Sequence, residues 1–150
     1  MVQRGHRASR DRRREERELV APMARHLHLL AAAATDNTFE RTRLDERTVW
    51  VGKCIHCNSK LVVADDGRSL GEATLEHIVP QARGGTDDVM NLAVACARCN
   101  REKGKRHDHK RGERLGEVVT QLQARRAERW REPAAVGMSV RLAPVLQATR

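Results

Sequence analysis

The chain has 150 residues, 39% of them hydrophobic and 33% charged, with Phe39, Trp50 and Trp130 as its aromatic complement. That length fits one domain with arms, and so thin an apolar supply points to a core that needs a staple such as a structural metal. A net charge of +9 and a pI near 10.4 favour a polyanionic partner, nucleic acid ahead of an acidic membrane surface, and no run reaches the ~18 apolar residues of a spanning helix.

The first 18 residues are Arg-rich but carry Asp11, Glu15, Glu16 and Glu18 among the arginines. Opposite charges near helical spacing predict a solvated helix or frayed arm, so residues 1–18 are set apart as a basic N-terminal arm. No apolar stretch of the secretory kind follows it, and a reducing, cytoplasmic location is expected. Leu19, Met23, Leu27 and Leu30 then fall on one helical face, and Pro22 marks where the helix starts or bends. The spacing predicts a helix over 20–34.

Residues 35–47 are polar and irregular, with a short helix expected near Phe39–Arg43. Residues 48–51 (TVWV) have β-branched and aromatic strand content, and 60–64 (KLVVA) reads as the strand that returns. Asp65-Asp66-Gly67-Arg68 is a turn signal. Residues 74–80 alternate like a strand that ends at Pro80, 81–88 form a Gly-rich loop, and 91–95 form the returning strand. From about Ala97 the pattern is helical, with Gly104 as the expected stop.

Arg106–Arg111 reads as a surface loop. Glu113–Arg131 reads as a helix with an apolar stripe of Leu115, Val118, Val119 and Leu122. Its basic end (Arg125, Arg126, Arg129, Arg131) is placed to follow a nucleic-acid backbone. Pro133 stops it. The last stretch, 133–150, has no clear period and is expected to be a loose tail or partner-binding segment. A single domain is therefore expected over 19–132, with its core at 48–105.

Two Cys-x-x-Cys pairs stand out, Cys54/Cys57 and Cys96/Cys99, with no cysteine left over. Each such turn presents two thiolates to one ion, and two turns complete the closed tetrahedron of a structural Zn²⁺ site. Four buried small hydrophobes or a redox pair are the competing readings. Two separated pairs in one short chain weigh against both. His56, inside the first pair, is read as a bystander because the tetrahedron is already full.

Residues 54–104 resemble the HNH endonuclease family. The resemblance rests on both cysteine knuckles, on Glu76-His77 followed by Ile-Val-Pro, on the Arg-Gly-Gly loop, on Asn91-Leu92, and on Cys-x-x-Cys-Asn-x-x-Lys-Gly. It covers about one third of the chain. It implies an α+β fold, a small zinc-stapled ββα-metal core (the His-Me finger arrangement) flanked here by N- and C-terminal helices. It also implies metal-dependent hydrolysis of nucleic-acid phosphodiesters, with DNA preferred over RNA.

The residue chemistry agrees with that implication. A phosphodiester needs an activated water and stabilised charge on phosphorus and on the leaving oxygen. His77 is the candidate general base, since an unperturbed imidazole titrates near neutral pH. The family places an asparagine at Asn91 to fix the loop and orient the histidine. Glu76 and Asn100 supply hard oxygen ligands suited to Mg²⁺ or Mn²⁺. Asn100 departs from the histidine often found there, and Glu76 from the more usual aspartate.

The alternatives for these residues are structural: a strand histidine in a packed face, and asparagines that cap a turn or helix. Arg83, Arg98, Arg101, Lys103 and Lys105 are candidate phosphate contacts, each singly as consistent with a plain solvated charge. Two other functions fit part of the pattern. One is a non-cleaving, zinc-stabilised nucleic-acid-binding module. The other is an accessory subunit beside a larger phage-packaging or mobile-element protein, with the tail as its handle.

Overall fold

The computed structural model describes residue 12, residues 24–105 and residues 112–147. The basic arm, apart from residue 12, and the 106–111 segment lie outside the described residues. The expected α+β architecture is the one observed. A four-stranded antiparallel sheet runs in chain order through β1 (Glu40–Leu44), β2 (Arg47–Lys53), β3 (Lys60–Ala64) and β4 (Ser69–Leu70). A separate antiparallel pair, β5 (Ala73–His77) and β6 (Leu92–Cys96), leads directly into helix α2 (Ala97–Lys105) and forms the ββα unit.

Helix α1 (residues 24–34) lies at the centre of the molecule. Leu29 is 6% exposed and Leu30 through Ala34 are fully buried. A helix end apolar on every side is stable only when surrounded. It packs in one cluster with Phe39, Trp50, Ile55, Ile78, Leu92, Leu122 and Leu142. Gly67, in the β3–β4 turn with φ +89°, lets the turn meet this helix. A Cβ there would collide with the His26 carbonyl, so the Asp-Asp-Gly-Arg signal carries packing as well as turn geometry.

Residues 39–43 do not form the expected short helix. Glu40–Leu44 is an edge strand paired with β2, from Glu40 opposite Val51 to Leu44 opposite Arg47. The two-residue loop between them is Asp45-Glu46, and both residues have positive φ, 47° and 67°. That is the twist a tight hairpin requires. The usual Asn-Gly or Asp-Gly signal is missing, so the hairpin was hidden. The exposed, charged side chains of β1 blunt the free edge of the sheet.

Helix α3 (Gly112–Arg129) buries Leu115 and Leu122, with Val118 and Val119 half-buried, as its stripe predicts. Its basic end does the opposite of what was expected. Arg126 is fully buried and donates to the Thr35 carbonyl (3.0 Å), the Thr35 hydroxyl (2.5 Å) and the Val89 carbonyl (3.2 Å). Arg131 donates to the Ala34 and Phe39 carbonyls at 3.0 and 2.7 Å.

These arginines therefore cap the last carbonyls of α1, which have no partner within the helix. Burial lowers the Arg126 guanidinium to about 10, with Asp36 opposing the shift, so it stays cationic at neutral pH. Arg126→Met would remove the buried side-chain donor shared by Thr35 and Val89, whose carbonyls keep only the Arg131 and Leu92 amides, and a positive charge near the buried Asp36. It is expected to cost about 3 kcal/mol in thermal or denaturant unfolding. A variant as stable as the wild type would remove the capping role.

The final segment also differs from expectation. A 3₁₀ turn (Pro133–Val136) leads into helix α4 (Ser139–Gln147). Met138, Leu142 and Val145, spaced as one helical face, are buried in the core. Arg141 of α4 and Arg41 of β1 both bind Asp65, at 3.2 and 2.7 Å, and the Trp50 indole donates to the same carboxylate at 3.2 Å. Burial pushes the Asp65 carboxyl up, but hydrogen bonds and charge from the two arginines outweigh it and hold it below its usual range. The tail is thus part of the fold through residue 147, and Pro144 sits within its last helix.

Candidate functional site

The first cysteine knuckle joins β2 to β3. The second straddles the junction of β6 and α2, because Cys96 ends the strand and Cys99 lies in the first helical turn. The Ile55 amide donates to the Val94 carbonyl at 3.0 Å and draws the first knuckle against β6. The four sulfurs come within 4.8 Å of one another, and Cys57 Sγ is 3.9 Å from Cys96 Sγ. A Zn²⁺ tetrahedron with bonds of about 2.3 Å has edges of about 3.8 Å.

Backbone amides serve the sulfurs. His56 N and Cys96 N donate to Cys54 Sγ at 3.4 and 3.3 Å, and Cys99 N donates to Cys96 Sγ at 3.4 Å. Burial pushes the Cys54 and Cys99 thiols up. Hydrogen bonds from Ser59 lower Cys57 to about 6. Thiols raised by burial need a compensating cation before they ionise, and a dication supplies it. The donor set, spacing and N–H···S bonds fit Zn²⁺. Among the described residues these four cysteines are the group of three or more His, Cys, Asp and Glu close enough to share one ion.

Arg125 and Arg129 of α3 hold the first knuckle from outside. Arg125 donates to the Ile55 and His56 carbonyls at 2.5 and 3.0 Å. Arg129 donates to the Lys53 carbonyl at 3.2 Å and to Asn58 Oδ1 at 2.5 Å. These are the residues expected to track a nucleic-acid backbone. They bind the protein's own carbonyls instead, because the tight knuckle turn leaves its carbonyls without strand partners.

His77 is the last residue of β5, paired with Leu92, and its side chain is 19% exposed. Its Nε2 lies 2.7 Å from Asp87 Oδ1. A carboxylate only accepts, so in the neutral imidazole the proton belongs on Nε2 and the lone pair on Nδ1. Asn91 fixes the intervening loop. Its Oδ1 accepts from the Val79 amide at 2.8 Å, and its Nδ2 donates to the Val79 and Thr86 carbonyls at 3.1 and 2.8 Å. Gly85 is required in that loop, since a Cβ would strike the Val79 carbonyl. Asn91 therefore holds the loop, and Asp87 on that loop holds the ring.

Strand alternation turns Glu76 the other way, into the interior. It is 1% exposed. One carboxylate oxygen lies 2.5 Å from His56 Nε2 and the other 2.8 Å from Lys103 Nζ. Lys103 is 5% exposed and also donates to the His77 carbonyl at 2.6 Å. Both oxygens of Glu76 are engaged, so it does not fit the open divalent-ion ligand expected of it. Lys103 is not a surface phosphate contact, because its ammonium neutralises that buried carboxylate. His56 is likewise a partner of Glu76 and not a bystander.

Asn100, on α2, donates through Nδ2 to Thr74 Oγ1 and the Leu75 carbonyl at 3.1 and 3.2 Å, with its Oδ1 on the opposite side of the amide. It ties the helix to the strand that ends in His77. Arg83, Arg98 and Arg101 are exposed. The side chain of Lys105 lies outside the described residues.

The structure thus places His77 and Asn91 at one end of the β5–β6 pair and the cysteine cluster at its other end, with Asn100 bonded to Thr74 and Leu75 along the strand between them. Sequence reasoning missed Asp87, whose signal was an acid two residues past Gly-Gly in the loop after His77. It also missed the knuckle clamps Arg125 and Arg129, which have no local signal. Residues 54–115 match the HNH endonuclease family model. No curated protein and no solved structure matches the chain.

Proposed function

We propose, since residues 54–115 match the HNH endonuclease family model, that this chain hydrolyses phosphodiester bonds of DNA with His77 as general base. The Asp87–His77 pair, held by the Asn91-stapled loop, is the observation that carries the reading. His77 Nδ1 accepts a proton from water. The water oxygen bonds to phosphorus as the bond to the 3′ oxygen breaks, and that oxygen takes a proton from solvent. The products are a 5′-phosphate and a 3′-hydroxyl.

Asp87 keeps the ring in the tautomer that leaves Nδ1 basic, and it stabilises the imidazolium that forms. Zn²⁺ on Cys54, Cys57, Cys96 and Cys99 has a structural role in this proposal. Mg²⁺ or Mn²⁺ belongs to the proposal as the family's divalent requirement and supplies positive charge to the phosphate when bound. Asn100 stays a candidate ligand for it, and Glu76 does not.

The closed Glu76–Lys103 pair favours a second reading, a zinc-stabilised nucleic-acid-binding module that does not cut. Supercoiled plasmid separates the two. Zinc-loaded protein with Mg²⁺ or Mn²⁺ is expected to convert it to nicked or linear forms. Binding without conversion under any divalent ion supports the second reading. Asp87→Asn is expected to slow cleavage by about 10²-fold or more with affinity for DNA unchanged. Wild-type rates in that variant would take Asp87 out of the mechanism.

A further inference from the structure

A cavity of about 440 Å³ opens between α1, the β3–β4 turn and β5, with His77 in its wall. Arg25 and His26 reach it from α1, and Gln81 from the loop after His77. Leu29 and Leu75 contribute apolar lining. Its described lining contains no carboxylate. The hydroxyls of Ser69 and Thr74 are spent on the Ala73 and Ala95 carbonyls, at 2.5 and 2.8 Å. Recognition in this cavity therefore falls to a guanidinium, an imidazole and an amide. A guanidinium and an N–H donor, with no facing acid, select an anion.

The placement is built into the fold. The Gly67 turn presses on the His26 carbonyl, and arginines from the C-terminal half cap the far end of α1. Arg25 and His26 thus stand at a set position across from His77, although α1 lies outside the family-matched segment 54–115. The cavity is large enough for a phosphate and part of its nucleoside.

We propose that Arg25 and His26 form a phosphate-binding subsite for the nucleic-acid strand, beside His77. The Arg25 guanidinium pairs with a non-bridging phosphate oxygen, and the His26 N–H donates to the same group. The subsite rests on the reading of His77 as the reacting face. It adds to that face a clamp that grips the backbone without reading bases.

The test measures DNA affinity against salt by fluorescence anisotropy, without divalent ion, for wild type, Arg25→Gln and the Arg25→Gln/His26→Gln pair. Zinc content and thermal unfolding are checked for each, and Arg25→Gln changes an exposed side chain, so it keeps the fold if the pair does not. The expected result is affinity about tenfold weaker in the pair, with a salt slope shallower by about 1. Plasmid cleavage is followed in parallel. Wild-type affinity and slope in the folded variants would overturn the subsite even if plasmid is cut. Arg25-dependent binding with no cutting by wild type would keep the subsite and sink the nuclease reading.

Discussion

His77→Ala is expected to lower plasmid nicking by about 10³-fold while zinc content, fold and DNA affinity stay as in wild type. The size follows from the loss of a positioned general base, which contributes roughly 10²–10⁴ in rate. The specificity of the effect follows from where the side chain stands. His77 is at the open end of β5, and its side-chain partner among the described residues is Asp87 on an exposed loop. Its structural duties are carried by its backbone, which pairs with Leu92 and accepts from Lys103. Alanine keeps both.

The same protein preparation provides the control. Rates unchanged by His77→Ala would mean that the cutting comes from another base or a contaminating nuclease. A variant that loses zinc or melts early would show that the imidazole holds the fold, and would withdraw it from catalysis.

Cys54→Ser is expected to have the largest effect on stability. Cys54 is fully buried, belongs to the main core cluster and accepts from the amides of both knuckles. Apparent free energies for structural zinc in small domains are about 10–16 kcal/mol, against a net stability of about 5–15 kcal/mol for a whole domain. Losing the ion therefore exceeds what the rest of the chain can spare. Metal analysis should give less than one zinc per chain, and circular dichroism should show loss of the β5–β6–α2 unit.

A strong chelator added to wild type should reproduce the effect, with recovery on adding Zn²⁺. A Cys54→Ser protein without zinc that unfolds at the wild-type temperature would show that the helices and the four-stranded sheet suffice alone. The knuckles share one apolar cluster with Trp50, Leu92 and Leu122. That continuity is the reason for expecting unfolding to spread beyond the knuckles.

Much of the site was legible in the sequence because its signals are local. A Cys-x-x-Cys turn brings two sulfurs together whatever surrounds it. The acid–histidine pair, the Gly-Gly loop and the asparagine before β6 lie within one hairpin, where strand register decides who meets whom. The strands 60–64 and 92–96 and the stripe of α3 were likewise readable from apolar spacing. The Asp45-Glu46 hairpin escaped because two acidic residues adopt a backbone conformation usually marked by glycine. Helix α4 escaped because Pro144 interrupts its pattern, although Met138, Leu142 and Val145 keep helical spacing.

What the sequence determined by itself was the four-cysteine cluster, the ββα unit and the candidate base, since each depends on contacts a few residues apart or on a single hairpin. The tertiary structure alone decided which charges face solvent. Arg125, Arg126, Arg129 and Lys103 look in sequence like contacts for a polyanion, yet long-range packing sets each against a carbonyl or carboxylate of the protein itself. Glu76 looks like a metal ligand until Lys103 and His56 arrive from distant positions to engage both its oxygens. A cation's partner is chosen by whichever unsatisfied acceptor the fold brings within hydrogen-bond reach, and no local pattern encodes that.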